Sequence, residues 1–472
     1  MIILILLLSA LFRFYRFPEL FHWTMDEDYW SYLPYNIATG YHFPAIGGHI
    51  AGTGLYAGPL FIYLMALPAK IFFGNPLGFG YLVAGLGVLN TFLIYHVAQK
   101  LFSHRAAIFS AFFYASSFLM AIFDRHYWNA SLTPIFTTLT IWFLFEVKQK
   151  KYLFCFPLAF TLALAFHAHG TGMALLLFTI VTWLVFRLPI NRLVFLGIVL
   201  FFVLQLPLIF FDLRHDYKNT RALISYGVIG DQRLTIGERV GNIVSGFSQA
   251  SARLIYFPAK DLALEQTLGL PEQYARLRGT APIFISPLLL VFIVFTLSRW
   301  KNNLGVKFCS LLIISTLVGL LIYKDKIPEY FFNPTFVGIF LLLGYFLGEI
   351  WQNRIVRFAL VLSIISFFYF NFQNLLTVKH SFSYQTRLEA VKKVITAVGN
   401  KPFSLDAQCS GFCQLYGFRY LFTSLGHEPI SSYVDPNFLW LYQDRLLKVA
   451  PEKRVTLIMN SQEVQVYVSN YR

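Results

Sequence analysis

Charge is scarce in this chain: Asp, Glu, Lys and Arg make up 13% of its 472 residues, against 57% hydrophobic ones. A soluble chain of this length cannot hide so much apolar surface in one core, which excludes a water-soluble domain and makes lipid the solvent. Acid is scarcer than base, with 23 Asp and Glu against 38 Lys and Arg and a formal net charge of +15. The cations stand singly between apolar runs, and no basic stripe interleaved with aromatics occurs, so nucleic-acid binding is excluded as well. Basic loops anchoring a membrane protein account for the charge. Cysteine is nearly missing, at four residues. Cys155 and Cys309 lie in apolar runs and read as inert core residues. Cys409 and Cys413 are too sparse for a metal site without nearby partners and read as a local disulfide or two free thiols. The start, Met1 to Phe12, lacks the basic region and small-residue cleavage site of a signal peptide and reads as a retained first span. It is short against the roughly 20 residues that cross a bilayer; it extends through Phe14 and Tyr15, or the true start lies upstream. No pair of halves with matching broken helices is present, which speaks against a transporter.

What the sequence has in abundance is apolar runs of membrane length. They fall near 1–15, 79–98, 106–123, 131–147, 152–167, 171–186, 193–211, 282–298, 308–323, 332–349 and 357–376. A further segment, 55–73, is apolar but holds Gly58, Pro59, Pro68 and Lys70, and either spans or lies at the interface. The distribution of positive charge decides between the two. With 55–73 outside the count and the N-terminus cytoplasmic, one side receives Lys100, Arg105, Lys148, Lys150, Lys151, Arg187, Arg192, Arg299, Lys301, Lys307, Arg354 and Arg357, in short loops without acid. The expected fold is therefore a polytopic α-helical membrane protein of about 11 spans, with juxtamembrane helices in the first outer loop. After about residue 380 the composition shifts. Leu388, Val391, Ile395 and Val398 have helical spacing, a second helix is expected near 412–425, and Phe403–Leu405, Arg454–Met459 and Val464–Ser469 read as strands. The chain thus divides into a membrane domain, 1–379, and a small α/β domain, 380–472, on the outer face. That domain carries no catalytic motif and is expected to serve folding or acceptor access.

The same sidedness gathers the chemically rich loops on the outer face: Met25-Asp26-Glu27-Asp28, Asp124-Arg125-His126, His167 and His169, and the long loop that begins at Asp212. Asp26 and Glu27 open a segment, 29–40, that reads as an interfacial helix closed by Gly40. Taken alone, they are best explained as an acidic first turn complementing the helix dipole. A Gly-rich stretch follows, Gly47-Gly48 and then Gly52 to Pro59, with no preceding strand and no Gly-Lys-Ser/Thr, so it is not a nucleotide loop.

A first span, an Asp-Glu pair, an interfacial helix and a Gly/Pro-rich stretch leading into an apolar segment resemble the multi-spanning C-type glycosyltransferases. The nearest groups are the protein O-mannosyltransferases and the bacterial transferases that add aminoarabinose to lipid A. The resemblance covers roughly residues 1–150 in pattern and the whole chain in layout. It implies transfer of a sugar from a polyprenyl-phosphate carrier to a protein, lipid or glycan acceptor, in an integral protein of a prokaryotic plasma membrane working on the extracytoplasmic side. It places a catalytic acid at Asp26, with Glu27 the neighbouring candidate, and a second acid at Asp124.

In such a donor the leaving group is already a phosphate, so the reaction needs a base for the acceptor hydroxyl and cations for the departing phosphate. Inversion needs one carboxylate opposite the leaving group. Asp26 is the candidate base; Asp124 orients the acceptor, helps to hold a metal, or only pairs with Arg125 at a helix end. Arg125, His126, Arg214, His215 and Lys324 are the candidate phosphate ligands, and Lys326 and Tyr330 are expected to line the lipid's entry. His167 and His169 lack an adjacent third ligand, so no metal site is assigned from sequence; a divalent cofactor stays open. Two other functions also stay open: a lipid-linked saccharide flippase, which should carry ionisable groups inside its spans, and a ligase or polymerase of whole glycans, which would rely on Arg214 and His215.

Overall fold

The computed structural model describes residues 1–50, 54–228, 235–258, 293–323, 327–379, 383–408, 417–459 and 464–471. Cys409, Cys413, Lys324 and Lys326 lie outside the described residues, as does most of the span expected at 282–298. Among the described residues, five helical stretches are long and apolar enough to cross a membrane: Pro76–Leu101, Asn129–Lys148, Leu304–Ile322, Glu329–Ile350 and Arg354–Thr377. Arg192–Leu204 and Leu206–Arg214 form a sixth if counted as one span bent by 46°. Ile2–Phe14, Leu60–Ile71, Tyr152–Ala168 and Gly172–Val185 are apolar but shorter. At about 1.5 Å per residue, helices of this length fall short of an upright crossing of a core about 30 Å thick. Among the described residues the helices lie where the apolar runs do, with two differences, the first being the bend within the run at 193–211. In the second, the run at 106–123 breaks into His104–Ser116 and Phe118–Phe123, because the chain turns extended at Ser117.

The elements that position the site come from the first half of the chain. Helix α1 (Ile2–Phe14) leads through the short α2 (Phe17–Leu20) into α3 (Met25–Ala38). A two-stranded hairpin follows, β1 (His49–Ile50) with β2 (Leu55–Tyr56), and then α4 (Leu60–Ile71) and α5 (Pro76–Leu101). Next come α6 (His104–Ser116), α7 (Phe118–Phe123), α8 (Thr133–Lys148), α9 (Cys155–Ala168) and α10 (Gly172–Val185). Aromatic side chains fill the gaps between these helices: Phe79 lies on Tyr127 with centroids 4.7 Å apart, and Trp30 meets Phe61 edge-on at 5.5 Å.

The last ninety residues hold a four-stranded mixed sheet, in the spatial order β4 (Ser431–Ser432), β3 (Phe403–Gln408), β5 (Lys453–Met459), β6 (Val464–Asn470). Strands β3 and β5 run parallel with Leu405 opposite Val455, and β5 turns back antiparallel into β6. Alternation buries Val455 and Leu457 while Arg454 faces out. The helix Tyr384–Val398 covers the sheet with Val391, Val394 and Val398, all buried.

This sheet-bearing segment does not stand apart from the first loop. Asp28 Oδ1 accepts from the Tyr420 amide at 2.7 Å, and Tyr32 pairs with Thr423 at 2.7 Å. Asn36 donates to the Leu441 carbonyl at 3.0 Å, and Trp23 donates to the Gly417 carbonyl at 2.7 Å. One face of α3 is therefore built by residues almost 400 positions away.

Candidate active site

Helix α3 starts at Met25 because Thr24 and Glu27 form a capping box. Glu27 Oε2 accepts from the Thr24 amide at 2.7 Å and from its hydroxyl at 3.0 Å. That fixes the Glu27 carboxylate, which is fully buried, with Oε1 turned toward the second outer loop. There Oε1 meets His126 Nε2. The His126 ring packs at a tilt against His22 at 4.5 Å and Trp128 at 5.0 Å, and its carbonyl accepts from the Ser131 hydroxyl at 2.7 Å. Two stretches remote in sequence, 22–28 and 126–131, thus converge.

Asp26 is half-buried at the first turn of α3 beside this group. Burial, and after it the Glu27 carboxylate, raises its carboxyl to about 6, opposed by His126. Asp28 is raised to about 7, chiefly by burial, with the Tyr420 amide opposing. The three acids of the motif therefore divide: Glu27 caps the helix and pairs with His126, Asp28 ties α3 to the sheet-bearing segment, and Asp26 alone is left as an accessible carboxyl.

Asp124 has a different partner from the one expected. It pairs with Arg13 of α1, Nη2 at 2.6 Å and Nε at 2.8 Å, and also accepts from the Tyr114 hydroxyl at 3.0 Å. Asp124 and Arg13 are both buried. Arg125 turns the other way, its Nη2 donating to the carbonyls of Phe12 and Tyr15. Among the described residues its Nε and Nη1 are buried without a hydrogen-bond partner.

Arg214 and His215 are exposed at the end of the helix Leu206–Arg214, and His215 Nδ1 lies 2.8 Å from the Phe211 carbonyl. Among the described residues no hydrogen bond or ion pair joins either to Asp26, Glu27 or His126. The link to that region is the hairpin. Tyr56 packs on Phe211 at 5.0 Å, its amide donates to Asn219 at 2.8 Å, and Gly48 lies against Tyr29 and Trp30 of α3. His167 bonds Gln205 at 2.9 Å, away from His169. His169 joins Trp128 and Tyr330, which meet edge-on at 4.3 Å. Tyr330 is thus brought to the site. His22 and Arg13 went unmarked in the sequence. An arginine inside an apolar span was the available signal for the second, since it demands a buried partner; for His22 there was none.

Residues 57–211 match the family described as dolichyl-phosphate-mannose-protein mannosyltransferase. The match includes Asp124, Arg125 and His126 and leaves out Asp26 and Glu27. No curated protein matches the chain in sequence. Its fold is similar to that of ArnT from Cupriavidus metallidurans, in the apo state (TM-score 0.58, 12% identity) and bound to undecaprenyl phosphate (TM-score 0.57, 11% identity), each over 97% of this chain and 92% of the other. It is also similar to the Archaeoglobus fulgidus oligosaccharyltransferase AglB in complex with an inhibitory peptide and a dolichol-phosphate, at TM-score 0.50 and 10% identity over 97% of this chain and 69% of that one. The chain is an integral membrane protein, and its resemblance to the multi-spanning C-type glycosyltransferases stands on both the matched mannosyltransferase segment and the shared fold.

Proposed function

We propose that the chain is a glycosyltransferase that moves a sugar from a polyprenyl-phosphate carrier to an acceptor hydroxyl, with inversion, on the extracytoplasmic side of a prokaryotic plasma membrane. The observation that carries this reading is the position of Asp26. It is the accessible carboxyl of a rigidly capped helix, beside His126 and next to the loop that carries Arg125. Asp26 takes the acceptor's proton as the hydroxyl oxygen attacks the anomeric carbon, and the bond to the phosphate oxygen breaks on the opposite face. The leaving phosphate carries its own negative charge, so cations rather than an acid assist it. Arg125 is the first candidate, because two of its guanidinium nitrogens have no protein partner among the described residues. Arg214 and His215, exposed at the mouth of the longest outer loop, meet the headgroup on approach, and Lys324 is a further candidate. The neighbours that bind undecaprenyl phosphate and dolichol-phosphate support a polyprenyl carrier.

The test is Asp26→Asn, which keeps size and most hydrogen bonding but removes the base. Transfer in a membrane-inserted, folded variant is expected to fall about 100- to 10,000-fold, the scale of general base catalysis. Donor-lipid binding should change little, since the carboxylate acts in the transition state. Near-normal transfer by Asp26→Asn, together with its loss in Arg214→Ala or His215→Ala, would replace this reading with a glycan ligase.

A further inference from the structure

We propose that two turns, one between α8 and α9 and one between α10 and the helix Arg192–Leu204, together bind the headgroup of one anionic phospholipid. They lie at the end of the molecule remote from Asp26. The turns are packed into one surface. Val147, Cys155, Leu188 and Val194 form a buried cluster beneath them, and Lys148 Nζ lies 5.1 Å over the Phe186 ring. Gly197 comes so close to the start of α9 that a Cβ there would stand 3.0 Å from the Cys155 carbonyl oxygen. Lys148, Lys150, Lys151, Arg187 and Arg192 thus share one short surface with a single acid, Glu146.

Charge balance singles out four of these cations. Glu146 takes Lys100 at 2.6 Å and Lys151 at 2.8 Å. Among the described residues no hydrogen bond or ion pair engages the side chains of Lys148, Lys150, Arg187 or Arg192, and the last three are exposed. The helix ends add little field of their own. Helices α8 and α10 finish here with their negative ends, while α9 and the helix Arg192–Leu204 begin here with their positive ends. The surface therefore presents unmatched positive charge, and the phosphate of an anionic lipid is its complement.

The placement of three of the four runs against local preference. Helices α8 and α10 close in the same way. The Lys151 amide donates to the Glu146 carbonyl at 3.1 Å and the Lys150 amide to that of Val147 at 2.9 Å. Likewise the Leu188 amide donates to Trp183 at 3.0 Å and the Arg187 amide to Leu184 at 3.2 Å. Such a closure puts the residue after the C-cap in the left-handed region, where glycine is preferred. Lys150 stands there at φ 65° and Arg187 at φ 49°. A cation suits the end of a helix, but it would do so equally one residue away and without the strain. Arg192 opens its helix, where the dipole disfavours a cation. Strain kept at charged residues on one surface points to a partner for those charges. From that surface the exposed Ile180, Leu184, Phe195, Val199 and Phe202 continue along α10 and the helix Arg192–Leu204, an apolar wall for the acyl chains.

The experiment reads lipid binding and not sugar transfer, so the site and the transfer reading stand or fall separately. The full chain is delipidated in detergent and titrated with phosphatidylglycerol. Bound lipid is counted by native mass spectrometry, and the thermal midpoint is followed in parallel. One phosphatidylglycerol per chain should be retained and should raise the midpoint, while zwitterionic phosphatidylethanolamine does neither. Lys150→Gly with Arg187→Gly is the decisive variant. Glycine fits both turns, so the lipid-free protein should melt no lower than the unaltered chain. Its affinity for the lipid should nevertheless fall roughly 30-fold, the worth of two basic residues beside an anionic headgroup. Asparagine at both positions, which also adopts the left-handed conformation, should weaken binding alike. Lys301→Gln with Arg354→Gln, which removes two cations from other loops, should leave binding unchanged. Equal loss in that control overturns the proposal, since the charge would then act diffusely. Unaltered binding by the glycine variant, or equal retention of the two lipids, overturns it as well. So does protection by inorganic phosphate alone, because the turns would then take a free anion.

Discussion

A guanidinium inside an apolar helix costs several kcal/mol unless a carboxylate meets it, and Arg13 meets Asp124. Both groups are buried, the Tyr114 hydroxyl takes up part of the remaining acceptor capacity, and Asn90 in turn donates to Tyr114 at 2.9 Å. Such a pair holds α1 to the α6–α7 corner. Removing one partner leaves the other charged and unmatched, so Asp124→Asn should destabilise the folded protein by about 3–5 kcal/mol. Arg13→Met with Asp124→Leu should recover most of that, because no lone charge is left. The measurement is the thermal midpoint in detergent for the three variants. An Asp124→Asn protein that melts normally but no longer transfers sugar would restore Asp124 to the chemistry. Nothing local in the sequence identifies this partner: Arg13 and Asp124 are 111 residues apart, and Arg125 is the nearer cation. The Asp26-Glu27 pair was legible as a site because the acids, the following helix and the preceding span are contiguous. The division of labour among Asp26, Glu27 and Asp28 was not, since it depends on His126 and Tyr420, which the fold brings from elsewhere.

Among the elements, α3 is the one whose placement decides the site, and it is held at both ends of its exposed face. Its start follows from Thr24 and Glu27, a pattern readable in the sequence. Its docking follows from Gly417, which is not. Gly417 has φ +61°, and a Cβ there would lie 2.4 Å from the Thr24 carbonyl oxygen, while its own carbonyl accepts from Trp23. Gly426 has φ +73° with open space around it. Alanine at either position meets left-handed strain of about 1–2 kcal/mol, but only at 417 does it also push against backbone at the N-cap of α3. Gly417→Ala should therefore lower the thermal midpoint clearly more than Gly426→Ala, and should expose the chain near Thr24 to protease. Equal shifts would mean that the contact with Thr24 contributes nothing beyond the strain. Periodicity located the described apolar helices and the strands β3, β5 and β6, because lipid-facing and sheet-buried faces both leave a pattern, but of the roughly 11 expected spans five or six described stretches are long enough to cross. It could not show that the run at 106–123 breaks at Ser117, a break made by one extended residue.

At the scale of the whole molecule, the helices separate two unlike ends. Lys100 and Lys151 both pair with Glu146, at 2.6 and 2.8 Å, where α5, α8 and the approach to α9 meet. At the same end Lys148 lies over the Phe186 ring and Phe102 stacks on Tyr345. The Asp26 group belongs to the other end of α5, where Tyr420 donates to the Gly74 carbonyl. With 26 residues, α5 sets these ends about 39 Å apart. The sheet-bearing segment sits at the site end, so the expectation that it serves only folding or acceptor access needs restating. Asp28, Tyr32, Asn36 and Trp23 all bond to it, and Ser383 and Tyr384 hold the backbone at Phe21 and His22. A chain ending before Tyr384 should insert its helices yet lose the register of α3, and with it both sugar transfer and the pairing of Glu27 with His126. Transfer by that truncated chain at near-normal rate would show α3 to be self-supporting. The sidedness itself is checked by single cysteines at Gln149 and Asn437, probed on intact cells with an impermeant thiol reagent after the four native cysteines are replaced. Positive loops stay cytoplasmic, so Asn437 should label and Gln149 should not. Labelling at Gln149 alone would invert the molecule and place the Asp26 site on the cytoplasmic side, where the donor would have to be met before it crosses the membrane.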